Sequence, residues 1–371
     1  WQLVESLFHV RIVEHDPSEV GPGRKIDTWH TDVKYFDVYR LDPLTKERGP
    51  LIAGFYVDAY SRPSEKRGGA WMGECIGRAA VATAGADSKE VRLPVAFLIC
   101  NQQPPTNGKP SQLSFDEMTT LFHEFGHVSQ HILTTVDESS VAGIRGVEWD
   151  AVELASQFLE NFCYDTQVLK TITKHVDTGA SIPQELLDAL LQSRNFRSAS
   201  ALMRQIQFAT LDMKLHHTGV APAMKKENTK EQQSGEITPD AIAGVMPLIA
   251  QVERSVSDKC SVLPFDPQNK FLNSFSHIWA GEYSAGYYSY KWAEVMSCDA
   301  YEAFMELVDP RDSYETRLAK WSKLGLKYRA TVLELGGSVK AKEVFRQFRG
   351  RDPSITPLLK QAGLIEEEKK Q

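Results

Sequence analysis

No Cys-x-x-Cys pair occurs in this chain, and its five cysteines (Cys75, Cys100, Cys163, Cys260, Cys298) are widely spaced and odd in number. That pattern argues against a disulfide framework and for a reducing compartment, with each cysteine read as a small buried hydrophobe. Positive charge is not in excess either: 42 Lys and Arg against 49 Asp and Glu leave a formal net charge of -7. Without a basic field, neither nucleic acid nor an anionic membrane surface is expected as a partner. Long apolar runs are missing too. The strongest, Leu51–Val57 and Val95–Cys100, are strand-sized and fall far short of the roughly 18–20 residues that span a bilayer. The chain starts at Trp1 with no initiator methionine and no signal-peptide pattern, so we read it as a fragment or processed form, any targeting segment lying upstream.

What is present is the composition of a globular protein, 42% hydrophobic and 25% charged over 371 residues. That length buries a large core, as two domain-sized units or one large domain. Val33–Tyr39 alternates in polarity and Leu51–Tyr60 follows a turn-rich link, which predicts two antiparallel strands. Val95–Cys100 predicts a third, closed by Pro104-Pro105-Thr106-Asn107-Gly108. From Ser114 onward the periodicity is helical, broken by a connector at Val176–Pro183 and a polar stretch at Thr218–Pro239. The expected fold is mainly α: a large helical domain with a small antiparallel sheet near its start, residues 1–110 carrying the sheet and 111–365 the helical region.

One helix carries a chemical motif. Over Leu113–Thr134, Ser114 can N-cap and Glu117 completes a capping box, while Leu121, Phe122, Phe125, Val128 and Ile132 form one apolar stripe. His123 and His127 stand four residues apart, so both imidazoles leave the same face one turn from each other. Two neutral ring nitrogens at that spacing can reach one zinc at about 2.0–2.1 Å. Glu124, offset around the helix, is placed to hold a water at the metal rather than the metal itself, which suits a general base. A chance His-Glu-x-x-His arises on the order of once in fifty such sequences, so the capped apolar helix around it matters as much as the motif.

A hydrolytic zinc needs a third protein ligand and an open position. The next helical pattern, Val147–Asp165, carries a narrow polar stripe of Glu153, Ser156, Gln157 and Glu160. Spacing alone leaves two alternatives open: a solvated face, or one ligand with partners that orient it. It does not choose between Glu153 and Glu160.

Five blocks together resemble the thimet oligopeptidase, neurolysin and oligopeptidase A family of zinc peptidases. They are Lys66–Met72, Asn107–Pro110, Thr120–His127, Trp149–Gln157 and His277–Trp292, in family order. The resemblance implies Glu153 as third ligand and one zinc per chain, with Glu160 and Ser156 steadying the ligands. It also implies a mobile loop bringing His277, Tyr283, Tyr287 and Tyr290 over a substrate, with Gly281 and Gly286 supplying backbone freedom. Phenolic donors of this kind suit a developing oxyanion, a role expected of Tyr287 and Tyr290. Ala155 stands where relatives often carry proline and Gln130 where histidine is common; neither is an expected ligand.

The resulting expectation is a monomeric endopeptidase acting on short peptides, Glu124 activating water against the scissile carbonyl. The cytoplasm is the expected compartment, with mitochondrial matrix or plastid stroma as alternatives. Family members are nearly twice this length, and their N-terminal half, expected to be absent here, forms the opposite wall of the substrate channel. Two other functions fit the same metal residues: a peptide-binding domain without catalysis, and an exopeptidase.

Overall fold

Runs of buried residues along the early strands build a sheet that carries the motif helix on its inner face. The structure is a computed structural model that describes residues 1–15, 26–82, 89–218 and 239–366. The polar stretch Thr218–Pro239 and the charged end Glu366–Gln371 fall almost wholly outside the described residues. By its internal packing the chain divides into two units, Trp1–Leu191 with Glu294–Leu358, and Gln192–Ala293 with Leu359–Gln371.

The first unit opens with α1 (Gln2–Phe8) and strands β1 (Val10–Glu14), β2 (Lys34–Leu41), β3 (Arg48–Tyr60), β4 (Trp71–Ile76), β5 (Ala79–Ala82), β6 (Lys89–Arg92) and β7 (Val95–Gln102). Five of them form one sheet in the order β1-β2-β3-β7-β4, while β5 and β6 pair separately. β1, β2 and β3 run antiparallel, as does β4 with β7. β3 and β7 are parallel, so the small sheet is mixed rather than wholly antiparallel. The chain between Tyr60 and Val95 is long enough for the crossover that a parallel pair requires.

Ala96, Leu98 and Cys100 of β7 face inward and are almost fully buried. Against that face packs α2 (Phe115–Ile132), whose Phe125 ring lies 5.3 Å from that of Phe55 on β3. Both halves of the capping box are made: Ser114 Oγ accepts from Glu117 N–H at 3.2 Å, and a Glu117 carboxylate oxygen accepts from Ser114 N–H at 2.8 Å. Behind α2 come α3 (Leu154–Asn161), α4 (Thr166–Ile172) and α5 (Gln184–Arg194). Asp165 caps α4 through Gln167 N–H and Val168 N–H, and its other oxygen pairs with the buried Arg317.

The second unit is helical: α6 (Ser198–Met213) ends in a π turn at Lys214–Thr218, followed by α7 (Pro239–Cys260) and the single turns α8 (Phe271–Ser274) and α9 (Ser276–Trp279). Leu211, Leu215, Val245, Val256, Leu272, Phe275, Ile278 and Tyr287 form its core. α10 (Ser289–Met305) leads back into the first unit, where α11 (Tyr314–Tyr328), α12 (Ala341–Arg349) and the start of α13 (Thr356–Gln361) complete it. There Phe158 stacks on Tyr328 with ring centroids 4.0 Å apart, and Phe162 meets Trp321 edge-on. Gly325 permits the closest crossing, since a Cβ on it would collide with the Leu7 carbonyl of α1.

All five cysteines are free; Cys100, Cys163 and Cys298 are buried as expected, but Cys260 is only half-buried and Cys75 lies exposed on β4.

Asp58 on β3 is one of the carboxylates buried in the sheet, with Asp37 on β2. It accepts two hydrogen bonds from Arg62 (2.8 and 2.7 Å), one from Lys66 Nζ (2.9 Å) and one from Trp29 Nε1 (3.0 Å). Burial alone would raise its pKa, but these donors outweigh burial and hold it at about 2. A depressed carboxylate stabilises the fold above its unfolded pKa near 3.9, and that contribution is lost as pH falls through about 2. Asp58→Asn is expected to cost about 2 kcal/mol at pH 7, with the gap to the native protein closing toward pH 2. Urea unfolding across that range checks it.

Candidate metal centre and tyrosine segment

The two histidines converge because α2 is straight through the motif and α3 comes close enough to meet it. His123 Nε2 lies 3.3 Å and His127 Nε2 3.1 Å from the same atom, Glu153 Oε2. One ligand atom from each of these three residues can be chosen so that all lie within 4.8 Å of one another. Two atoms bound at about 2.0–2.1 Å to a common tetrahedral ion sit about 3.3–3.4 Å apart, so the two edges that meet at Glu153 Oε2 are close to those of a metal site. The donor set, two imidazoles and one carboxylate, also suits zinc.

Glu153 is not inside a helix, as the periodicity predicts, but at the N-cap of the shorter α3, preceded by turns from Val147. Its backbone (φ -84°, ψ 0°) and near-complete burial aim the carboxylate at α2. Ser156, one turn on, donates through Oγ to Glu153 Oε2 at 2.9 Å and to the Glu153 carbonyl at 2.9 Å, fixing the carboxylate's rotation. Glu160 does something different: its Oε1 lies 2.5 Å from His123 Nδ1. A proton on Nδ1 leaves Nε2 as the lone-pair nitrogen turned toward Glu153. Spacing left Glu153 and Glu160 as alternatives; the fold gives them opposite faces of one imidazole. Of the polar stripe, Glu153 and Ser156 are buried rather than solvated.

Electrostatics agree with the geometry. Desolvation pulls the His123 imidazole down, but Glu153 and Glu160 outweigh it and raise it to about 10. Desolvation pushes Glu153 up, and His127 and His123 outweigh that in turn, holding its carboxyl well below the usual range. A positive charge is therefore favoured where the three atoms meet. Glu124 is buried beside them with its pKa raised, chiefly by desolvation, while the histidines pull the other way. The nearby Met72 amide on β4 pulls it down slightly as well. No sequence signal pointed to Met72, because its contribution is a backbone N–H placed by strand pairing.

Gly126 is the other residue that motif reading passes over. A Cβ there would collide with the Ala155 carbonyl and Ser156 Cα, so the glycine sets how near α3 can come. The available signal was a glycine inside a helix, which costs about 1 kcal/mol relative to alanine and asks for a packing reason. Gln130, one turn beyond the motif, binds the Val332 and Leu333 carbonyls and ties α2 to the C-terminal helices.

The remaining predicted residues lie in the second unit. Tyr287 is buried and its phenol donates to Gln205 Oε1 at 3.0 Å, with burial raising its pKa. Tyr283 stacks on Tyr290 at 4.8 Å, and the His277 ring lies 5.6–6.2 Å from those of Tyr283, Tyr287 and Tyr290. Left-handed backbone in this segment falls on Glu282 (φ 66°) and Ala285 (φ 56°), neither of them glycine. Gly281 instead lets the chain fold back on α9, where a Cβ would press on the His277 backbone.

Comparison with known proteins fits this geometry. The family described as Peptidase family M3 matches residues 1–364. Organellar oligopeptidase A, chloroplastic/mitochondrial, of Arabidopsis thaliana is 47% identical over 98% of this chain and 41% of its own length. Probable cytosolic oligopeptidase A of the same plant is 45% identical over 98% of this chain and 46% of its own. Oligopeptidase A of Escherichia coli (strain K12) is 38% identical over 98% and 47%. The chain thus spans less than half the length of these relatives.

Gly126→Ala tests the packing that brings Glu153 to the histidines. Overpacking against backbone costs about 1–3 kcal/mol, outweighing alanine's helix preference. Zinc affinity, measured by competition with a chromophoric chelator, is expected to fall at least about tenfold, and the melting temperature to drop with it.

Proposed function

The chain belongs to peptidase family M3, and from that premise we propose that it is the catalytic portion of a zinc-dependent oligopeptidase that cuts short peptides internally. The convergence of His123 Nε2 and His127 Nε2 on Glu153 Oε2, with buried Glu124 beside them, is the observation that carries this reading. These three residues would hold one zinc ion per chain. When bound, the ion supplies a Lewis acid that polarises the scissile carbonyl and makes water more acidic.

Glu124 then does the proton work. Burial raises its affinity for a proton, so it can take one from the attacking water and pass it to the leaving amine. β4 lies at the sheet's edge, which leaves its outer backbone groups without a partner strand. An extended peptide can add there as a further strand, laying its scissile bond beside Glu124. Tyr287 and Tyr290 complete the proposal as phenolic donors to the oxyanion, a role the family resemblance implies. For Tyr287 this requires the phenol to leave Gln205.

Short peptides are thus the proposed partners, and the net charge of -7 gives nucleic acid no attraction. Among the described residues no helix is long and apolar enough to cross a membrane. The names of the two plant relatives point to the cytosol or an organelle as the compartment.

Glu124→Gln keeps the shape of the side chain and removes its basicity. It is expected to retain one zinc per chain while cleavage of a quenched peptide blocked at both ends falls by at least about a thousandfold. Undiminished turnover in that variant refutes the proton role, and failure of the native protein to cut the doubly blocked peptide refutes internal cleavage.

A further inference from the structure

A second buried carboxylate organises the tyrosine segment. Asp212, next to last in α6, is fully buried (0% exposed) and must be met by donors. Its Oδ1 accepts from Ala285 N–H and its Oδ2 from Tyr287 N–H, each at 2.9 Å. His216 Nδ1 lies 2.8 Å from Oδ1 and 2.9 Å from the Asp212 carbonyl oxygen. The imidazole comes from the π turn that ends α6, a form frequent at functional sites.

The two amides flank Gly286 at the point where the segment is most strained. Glu282 and Ala285 both hold left-handed backbone without being glycine, which costs roughly 1–2 kcal/mol each and persists only where surroundings impose it. Ala285 is one of the residues whose amide Asp212 holds. At the other end of the same tyrosine, Gln205 accepts the Tyr287 hydroxyl at 3.0 Å. Gln205 and Asp212 are seven residues apart on one helix, two turns along the same face. α6 therefore grips Tyr287 twice, at its backbone and at its phenol, while Phe275 flanks the ring at 4.9 Å.

We propose that Asp212 is the positioning residue of the Gly281–Tyr290 segment: its carboxylate, steadied by His216, fixes the backbone from which Tyr287 projects, and Gln205 holds the phenol until substrate takes it. The positioning role rests on the oxyanion function proposed for Tyr287; the clamp itself does not. Asp212→Asn separates the two. Asparagine can accept from one amide but turns its NH2 against the other.

In the zinc-loaded full chain, hydrogen exchange at Ala285 and Tyr287 is expected to rise at least about tenfold in Asp212→Asn, with exchange along α2 unchanged. kcat is expected to fall about tenfold, with KM and zinc content unchanged. Tyr287→Phe should then add less than about a twofold further loss in that background, although alone it lowers kcat substantially. His216→Ala serves if Asp212→Asn does not fold: exchange at the same two amides should rise several-fold. Unchanged exchange at both amides overturns the clamp. Losses that simply multiply in the double variant overturn the positioning role. If the native chain cuts no peptide at all, the peptidase reading fails, and the positioning role with it, while the exchange data still decide the clamp.

Discussion

The approach of α3 to α2 across Gly126 is the contact on which the first unit's chemistry depends. α2 alone offers two imidazoles and a carboxylate on adjoining faces of a helix. They become a cation site only when Glu153 arrives, and it arrives at the N-cap of α3, two residues before the Ala155 carbonyl that Gly126 leaves room for. Ser156 and Glu160 come along on the same short helix, one turning the carboxylate and the other the His123 ring. Ligand and orienting partners are thus delivered as a single rigid element. Such an element holds geometry better than a loop could, because its rotamers are locked by packing on both sides.

Buried carboxylates recur as the means by which this fold fixes its irregular parts. Glu153 is satisfied by imidazoles, Asp58 by a guanidinium, an ammonium and an indole, Asp165 by a helix N-terminus and Arg317. Asp299, on α10, gathers Arg349, Arg351 and the Ser354 amide, which seats the chain after α12. Asp212 does the same with two backbone amides and an imidazole. Each anion would be costly alone, and each is met by several donors from separate segments. Their direction is common: they bind turns, caps and segment crossings, where hydrophobic packing gives little orientation.

Periodicity and capping chemistry are local, and what they encode was readable. The capping box at Ser114, the apolar stripe of α2, the two principal antiparallel strands and the His-Glu-x-x-His spacing all appear in the structure. β1 and β4 were not anticipated. β1 alternates only over Val10-Arg11-Ile12, too short a run to stand out, and β4 contains Gly73 and ends in the exposed Cys75-Ile76 without alternating. β4 nonetheless supplies the Met72 amide to Glu124. A backbone contribution of this kind leaves no trace in side-chain identity. The left-handed positions of the tyrosine segment, Glu282 and Ala285, carry no such mark either, since glycine is the usual sign of that backbone and it is Asp212 that holds the Ala285 amide.

By itself the sequence determined the helix, its two histidines and its glutamate, because a spacing of four on a capped helix puts them on one face whatever surrounds it. It left the third ligand divided between Glu153 and Glu160, which share one stripe seven residues apart. Only the tertiary structure divided them: Glu153 is the N-cap of α3, where its carboxylate meets both Nε2 atoms, while Glu160, two turns on, reaches the other nitrogen of His123. Which residue meets which atom depends on where α3 starts and how closely it crosses α2. Both are set by contacts between segments that no local pattern records.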